Sequence, residues 1–175
     1  MARILVVYST TDGHTKTICE RLALQLEADV DHVTLLPIEQ AHAVALPTFD
    51  KVVVGASIRY GRHSALLRRF ADANAGVLNA MPTAFFSVNL VARKPDKDRA
   101  ETNPYVRKFR SQTRWRPRIV DVFAGRLDYP RYRWTDRLVI RLIMLATSGP
   151  TDPRTVVEFT DWQRVRAFAR QVAMM

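Results

Sequence analysis

Three short stretches carry side chains whose types and spacing suit a shared chemistry. The first is Ser9, Thr10, Thr11, Asp12, Gly13, His14 and Thr15, which follows an apolar run and precedes a helical pattern. Where a strand turns into a helix, free backbone N–H groups and the helix dipole converge on one spot, and that spot suits a phosphate. Ser9, Thr10, Thr11 and Thr15 add hydroxyl donors, and Gly13 permits a tight turn beside a ligand. No GxxxxGK pattern occurs, which excludes the usual triphosphate loop, and no GxGxxG, which argues against an ordinary dinucleotide site. The plainer alternative is a capped turn in which Asp12 or Thr15 serves the helix.

The second stretch is Ser57, Ile58, Arg59, Tyr60 and Gly61, where Tyr60 is placed to stack on a flat ring or is simply a loop aromatic. The third is Ser87, Val88, Asn89 and Leu90, which offers polar groups to a ring edge. A phosphate loop, a stacking aromatic and polar edge contacts together describe a flavin mononucleotide (FMN) site.

These loops need a frame, and the hydrophobic pattern supplies one. Buried strands are expected over 3–8, 51–56, 83–88 and 119–124, with a weaker one over 30–35. Helices are expected over 15–27, with Ile18, Leu22 and Leu26 inward, and over 64–75, with Leu66, Leu67, Phe70 and Ala73 inward. Others are expected over 102–115 and 161–174, with Thr160 or Asp161 capping the last. Strand and helix alternate, and the strands are continuous β-branched runs. The fold class is therefore α/β, a doubly wound five-stranded parallel sheet in one domain, 1–175. Ligands in such folds sit beyond the carboxyl ends of the strands, where all three loops lie. Residues 126–154 show no clean strand and read as an insertion at strand five, splitting or following it. TVVEFTD, after it, reads as a short strand.

Charge is concentrated. Between Arg93 and Arg141, 12 Arg and 3 Lys face 6 acidic residues, so this stretch carries +9 of the chain's +10. Such a field favours an anionic partner, or it is a solubilising surface. No RNP, zinc-finger or helix-turn-helix pattern accompanies it, so no nucleic acid partner is expected. Within the insertion, eight of the nine residues from Leu138 to Ala146 are apolar. Arg133, Arg137 and Arg141 recur every four residues, and Tyr129, Tyr132 and Trp134 precede the apolar part. That suits a basic amphipathic helix at an anionic membrane surface, or a helix packed on the sheet with its arginines in water. The run is shorter than the roughly 20 residues of a spanning helix, and no signal peptide is visible. One cysteine, Cys19, forms no internal disulfide and suits a reducing compartment. The four histidines show no metal spacing. His14 and His63 fall in the candidate loops.

Several blocks in order make the chain resemble flavodoxin-fold proteins, and more closely the menaquinone-dependent protoporphyrinogen oxidases. They are STTDGHT (9–15), VVVGASIRYGRHS (52–64), FFSVNLVARKP (85–95), WRP (115–117), AGRLDYPRYRWTDR (124–137) and TDW (160–162). The resemblance implies that 9–15 hold the FMN phosphate and that 57–61 and 87–90 frame the isoalloxazine. It implies oxidation of protoporphyrinogen IX to protoporphyrin IX, six electrons passing to menaquinone or ubiquinone, in haem biosynthesis. It implies a cytoplasmic protein on the inner face of the cell membrane, with the flavin and no side chain carrying the redox step. Candidate substrate or membrane contacts are Arg93, Lys94, Arg131, Arg133, Arg137 and Arg141, since arginine is well shaped for carboxylates. A flavodoxin-like electron carrier, an NAD(P)H:quinone reductase, or a lipid-binding module without flavin remain as alternatives. Homo-oligomerisation is left open.

Overall fold

A computed structural model describes residues 2–28 and 32–175. Five strands form one parallel sheet: β1 (Arg3–Ser9), β2 (His32–Pro37), β3 (Lys51–Ser57), β4 (Thr83–Asn89) and β5 (Ile119–Ala124). Their order is β2-β1-β3-β4-β5, with every neighbouring pair parallel. Val30, expected to open the second strand, lies outside the described residues.

The pleat decides which helices cover which face. Ile4, Val6, Val53, Ala84, Phe86 and Phe123 point to one side. There they bury α1 (His14–Ala28) through Ile18, Leu22 and Leu26, and α6 (Trp162–Ala173) through Val165, Phe168 and Val172. Leu5, Val7, Val52, Val54 and Phe85 point to the other side. They meet α2 (Ala65–Ala73), α3 (Ala75–Ala80) and α4 (Pro104–Gln112) through Leu67, Phe70, Leu78 and Phe109. Strands buried on both faces explain the unbroken apolar runs of the sequence. Lys51 donates to the carbonyls of Val172 (3.1 Å) and Ala173 (2.6 Å), placing a cation on the C-terminus of α6.

Some local expectations are corrected. The helix expected over 64–75 begins after its cap, Ser64, and stops at Ala73; Asn74 separates it from α3. Leu66 and Ala73 face solvent, and Ala71 takes the buried position instead. The helix expected over 102–115 is α4 alone. Asn103 caps it, and Trp115 has left it to pack against Phe85 and Phe109, its indole N–H donating to Thr83 Oγ1 at 3.1 Å. Asp161 caps α6, as expected. The segment after β5 is not strandless: β6 (Arg126–Asp128) pairs antiparallel with β7 (Val156–Glu158). The extra residues thus follow β5 and do not split it. Between β6 and β7 lies α5 (Trp134–Ala146). A small separate core, Leu127, Tyr129, Tyr132 and Met144, seats this segment against Leu90, Ile140 and Phe159.

Candidate functional site

A cleft lies at the carboxyl ends of β1, β3 and β4, roofed by α5. Its cavity volume is about 130 Å³.

The floor at one end is the loop after β1. Gly13 has φ +86°, which favours glycine, and its N–H donates to Thr10 Oγ1 at 3.0 Å. The next residue starts α1, whose first-turn N–H groups lack carbonyls one turn back. Ser9 is buried and shares a 3.0 Å hydrogen bond with Ser64, the cap of α2. Thr15 is buried, yet its hydroxyl has no hydrogen-bond partner among the described residues. A buried hydroxyl free to donate at a helix N-terminus is chemically suited to an oxyanion.

The second loop is a two-residue hairpin. Arg59 and Arg62 exchange both backbone hydrogen bonds, at 2.9 and 3.2 Å. Tyr60 (φ 49°) and Gly61 (φ 72°) fill the two left-handed positions of a type I′ turn. Holding a tyrosine at positive φ is strained, and strain of this kind gathers at ligand sites. It leaves the Tyr60 ring 57% exposed beside the cleft.

The third loop rests on a buried polar network. Asn89 Nδ2 donates to Ser87 Oγ (3.2 Å) and to Asn103 Oδ1 (3.4 Å), and its Oδ1 accepts from Ala92 N (3.0 Å) and Asn103 Nδ2 (3.2 Å). Asn103 also receives Tyr105 N and Val106 N. His63 Nε2 shares a 3.0 Å hydrogen bond with the same Ser87 Oγ, and burial pushes the imidazole down to about 4.

The roof was not foreseen as part of the cleft. Asp136 of α5 is buried and accepts from both the Arg59 guanidinium and the Tyr60 hydroxyl. The other arm of Arg59 reaches both Asp12 oxygens at 3.2 Å. One guanidinium thus ties the loop after β1 to α5 across the cleft. Val139, Ile140, Ile143 and Met144 complete the apolar wall, and Tyr105, Gly125, Arg126 and Tyr132 close the sides.

Of the cofactor candidates, Thr10, Asp12, His14, Thr15, Ser57, Ile58, Arg59, Tyr60, Gly61, Val88, Asn89 and Leu90 line this cleft. Ser9 and Ser87 sit behind it as supports, Gly13 lines a neighbouring groove, and Thr11 faces solvent. His14 Nε2 lies 2.7 Å from Thr160 Oγ1, whose hydroxyl already donates to Ala124 O. The imidazole must therefore donate, which fixes its proton on Nε2. Burial lowers its pKa, with Glu158 opposing and Arg126 assisting.

None of the six proposed basic contacts lines the cleft. Arg93 braces two segments of the chain. Its Nη1 donates to Leu90 O (2.8 Å) and its Nη2 to Thr147 O and Oγ1 (2.9 Å each), pinning the C-terminal end of α5. Arg131 flanks the groove beside Asp12 and Gly13, and Lys94 is half-buried. Arg137 is half-buried against Tyr132 O (3.5 Å), whereas Arg133 and Arg141 are exposed. The expected division of α5 into basic and aliphatic faces is also corrected. Its aliphatics divide between the cleft side and an outer stripe of Trp134, Leu138, Leu142 and Leu145, each more than half exposed. At about 100° per residue, the arginines run along one edge of that stripe. Among the cleft residues that sequence reasoning missed are Tyr105, Arg126 and Asp136. Asp136 had one signal, as the only acid between Asp128 and Asp152.

The flavodoxin domain family matches residues 5–154. A protoporphyrinogen IX dehydrogenase (quinone) of Leishmania major is 48% identical over 99% of this chain and 75% of its own. The Escherichia coli K12 protein of the same name is 46% identical over 98% of this chain and 94% of its own. The chain belongs to this flavodoxin-domain family of protoporphyrinogen IX dehydrogenases. Oxidised flavodoxin 2 from Bacillus cereus superposes with a TM-score of 0.58 at 17% identity, covering 99% of each chain. An apo NADH:FMN oxidoreductase gives 0.56 at 10% identity, over 99% of this chain and 89% of its own. Both likenesses speak for the fold alone. The donor set suits FMN: neutral N–H and hydroxyl donors, the orphan Thr15 hydroxyl among them, an exposed tyrosine ring, and polar groups at the end of β4.

Proposed function

We propose that this chain oxidises protoporphyrinogen IX to protoporphyrin IX and delivers six electrons, in three pairs, to a membrane quinone (menaquinone or ubiquinone). The observation that carries this is near-half identity, over almost the whole chain, to proteins bearing that name. FMN supplies the two-electron redox chemistry when bound. In this reading the first-turn N–H groups of α1 and the Thr10 and Thr15 hydroxyls hold its phosphate. Tyr60 and the Ser57–Gly61 loop flank its ring, and Val88 to Leu90 meet the ring edge. Ser9, Ser87 and Asn103 keep those loops in place. The apolar side of α5 shields the reacting face from water, and Asp136 orients the Arg59–Tyr60 turn.

The membrane is the second component of the proposal. Trp134 is 77% exposed and Leu145 64%; among the described residues nothing covers the outer stripe of α5, and Arg133 and Arg141 lie beside it. An aromatic and aliphatic stripe with flanking arginines suits the interface of an anionic bilayer. No helix among the described residues is long and apolar enough to cross one. In this reading α5 is both the cleft's roof and its contact with the bilayer, at the inner face of the cell membrane, where the quinone resides.

The decisive assay is anaerobic. Chain, FMN, protoporphyrinogen and a menaquinone analogue are mixed, and porphyrin fluorescence is followed. Quinone-dependent growth of fluorescence is expected. Rapid flavin reduction by NAD(P)H, with none by porphyrinogen, would transfer the chain to the reductase class.

A further inference from the structure

A second cavity of about 120 Å³ adjoins the cleft and shares Gly61 and Tyr105 with it. It lies between the Tyr60–Gly61 turn, the first turn of α2 and the outer side of α4. Three cations line it, Arg62, Arg68 and Lys108, and no carboxylate does. Its remaining wall includes His63, Phe109 and Gln112. His63 adds no charge, because burial keeps it neutral at ordinary pH.

The three cations differ in one respect from the arginines that brace the cleft, Arg59, Arg93 and Arg126. Arg59 is bound to Asp12 and Asp136, Arg126 to Asp128, and Arg93 to Leu90 and Thr147. Arg62, Arg68 and Lys108 have no side-chain hydrogen bond or ion pair among the described residues. Three unpaired cations around one small cavity repel each other, and an anion entering it relieves that repulsion. Arginine offers a planar fork to a carboxylate and lysine a point charge, so the set suits a carboxylate arm.

We infer that Arg62, Arg68 and Lys108 form a receptor for one propionate of the tetrapyrrole, reached from the cleft past Gly61 and Tyr105. This rests on the proposed porphyrinogen activity and adds a substrate contact to it. It also relocates that contact, because the six basic residues first considered lie elsewhere.

The test compares protoporphyrinogen IX with its dimethyl ester, using the FMN-loaded chain, wild type and R68Q/K108Q, with R68K as the conservative variant. Loss of charge-assisted hydrogen bonds should raise KM roughly tenfold for the ester on wild type, and for the acid on R68Q/K108Q, with R68K between. The double variant should then no longer discriminate acid from ester, while its FMN content is that of wild type. Equal KM values for acid and ester on wild type would overturn the inference, as would a double variant that still prefers the acid. Binding of protoporphyrin IX and its dimethyl ester, followed by porphyrin fluorescence, separates this inference from the activity. A preference for the acid that needs Arg68 and Lys108, without turnover, would uphold the receptor and remove the proposed oxidation. Displacement of the acid by equimolar inorganic phosphate would mark a general anion site and overturn the porphyrin assignment.

Discussion

The two walls of the cleft are built differently. The strand-end wall grows out of the sheet: its loops are anchored by Ser9–Ser64, by the Asn89–Asn103 pair and by His63–Ser87, mutually satisfied and all buried except the half-buried Ser64. The α5 wall rests on a four-residue apolar cluster, one carboxylate clasp at Asp136 and one arginine brace at Arg93. Buried polar networks fix geometry because any departure leaves a group unpaired in a low dielectric. A helix with a wide exposed apolar stripe and few anchors is free to adapt. The difference suggests a division of labour: a rigid wall for a resident cofactor, and an adjustable one for a bulky substrate and a bilayer.

That contrast can be broken experimentally, and the largest effect should come from the rigid wall. Asn89→Ala strips partners from Ala92 N and both Asn103 amide groups, and should cost about 3–5 kcal/mol of stability, read by urea unfolding. A loss as small as that of a surface substitution would mean the network is not what holds the wall.

Next comes the pH dependence of His63. Its folded value is about 4 against an ordinary 6.5, so the unfolded chain takes up the proton first as pH falls. The contribution is fully present above pH 6.5, and on the order of 3 kcal/mol of it is lost as pH falls from 6.5 to 4. Urea unfolding of wild type and His63→Phe at pH 7 and 4.5 checks this, and the variant should show the shallower dependence.

On the adjustable wall, Asp136→Ala should cost only about 1–2 kcal/mol globally, because Arg59 keeps Asp12. It should nevertheless speed proteolytic nicking between 126 and 154. Equal nicking of wild type and variant would show that the clasp does not hold α5.

Thr15→Val sharpens the comparison from the ligand's side. Without flavin the variant should be as stable as wild type or slightly more so, since the hydroxyl it removes has no partner. With flavin, affinity should fall by about tenfold, read by fluorescence titration of FMN. A comparably small effect on stability is expected at Leu142→Glu on the outer stripe, within about 0.5 kcal/mol of wild type. The same substitution should sharply reduce partitioning onto anionic vesicles, and unchanged partitioning at low salt would remove the membrane role.

Local sequence determined a good deal. The β-branched runs could be satisfied only by strands covered on both faces, so the parallel sheet, its five strands and the three loops at their carboxyl ends were readable in the chain. STTDGHT reads as an anion site because the chemistry of a strand-to-helix turn is local: free N–H groups, hydroxyls and one glycine. The roof was not readable in this way. Leu138, Val139, Ile140 and Leu142 are alike as sequence, yet two face the cleft and two face outward, and only the placement of α5 over β4 decides which. Arginines alike in composition differ in the partners that distant parts of the chain give them: Arg59 meets Asp136, 77 residues away, and Arg93 meets Thr147, 54 away, while Arg62 and Arg68 have no ion-pair partner among the described residues. The fold's plan follows from periodicity, which a strand or helix expresses by itself. The pairing of charges depends on which distant groups the packed sheet brings within hydrogen-bond reach, and only the tertiary structure decides that.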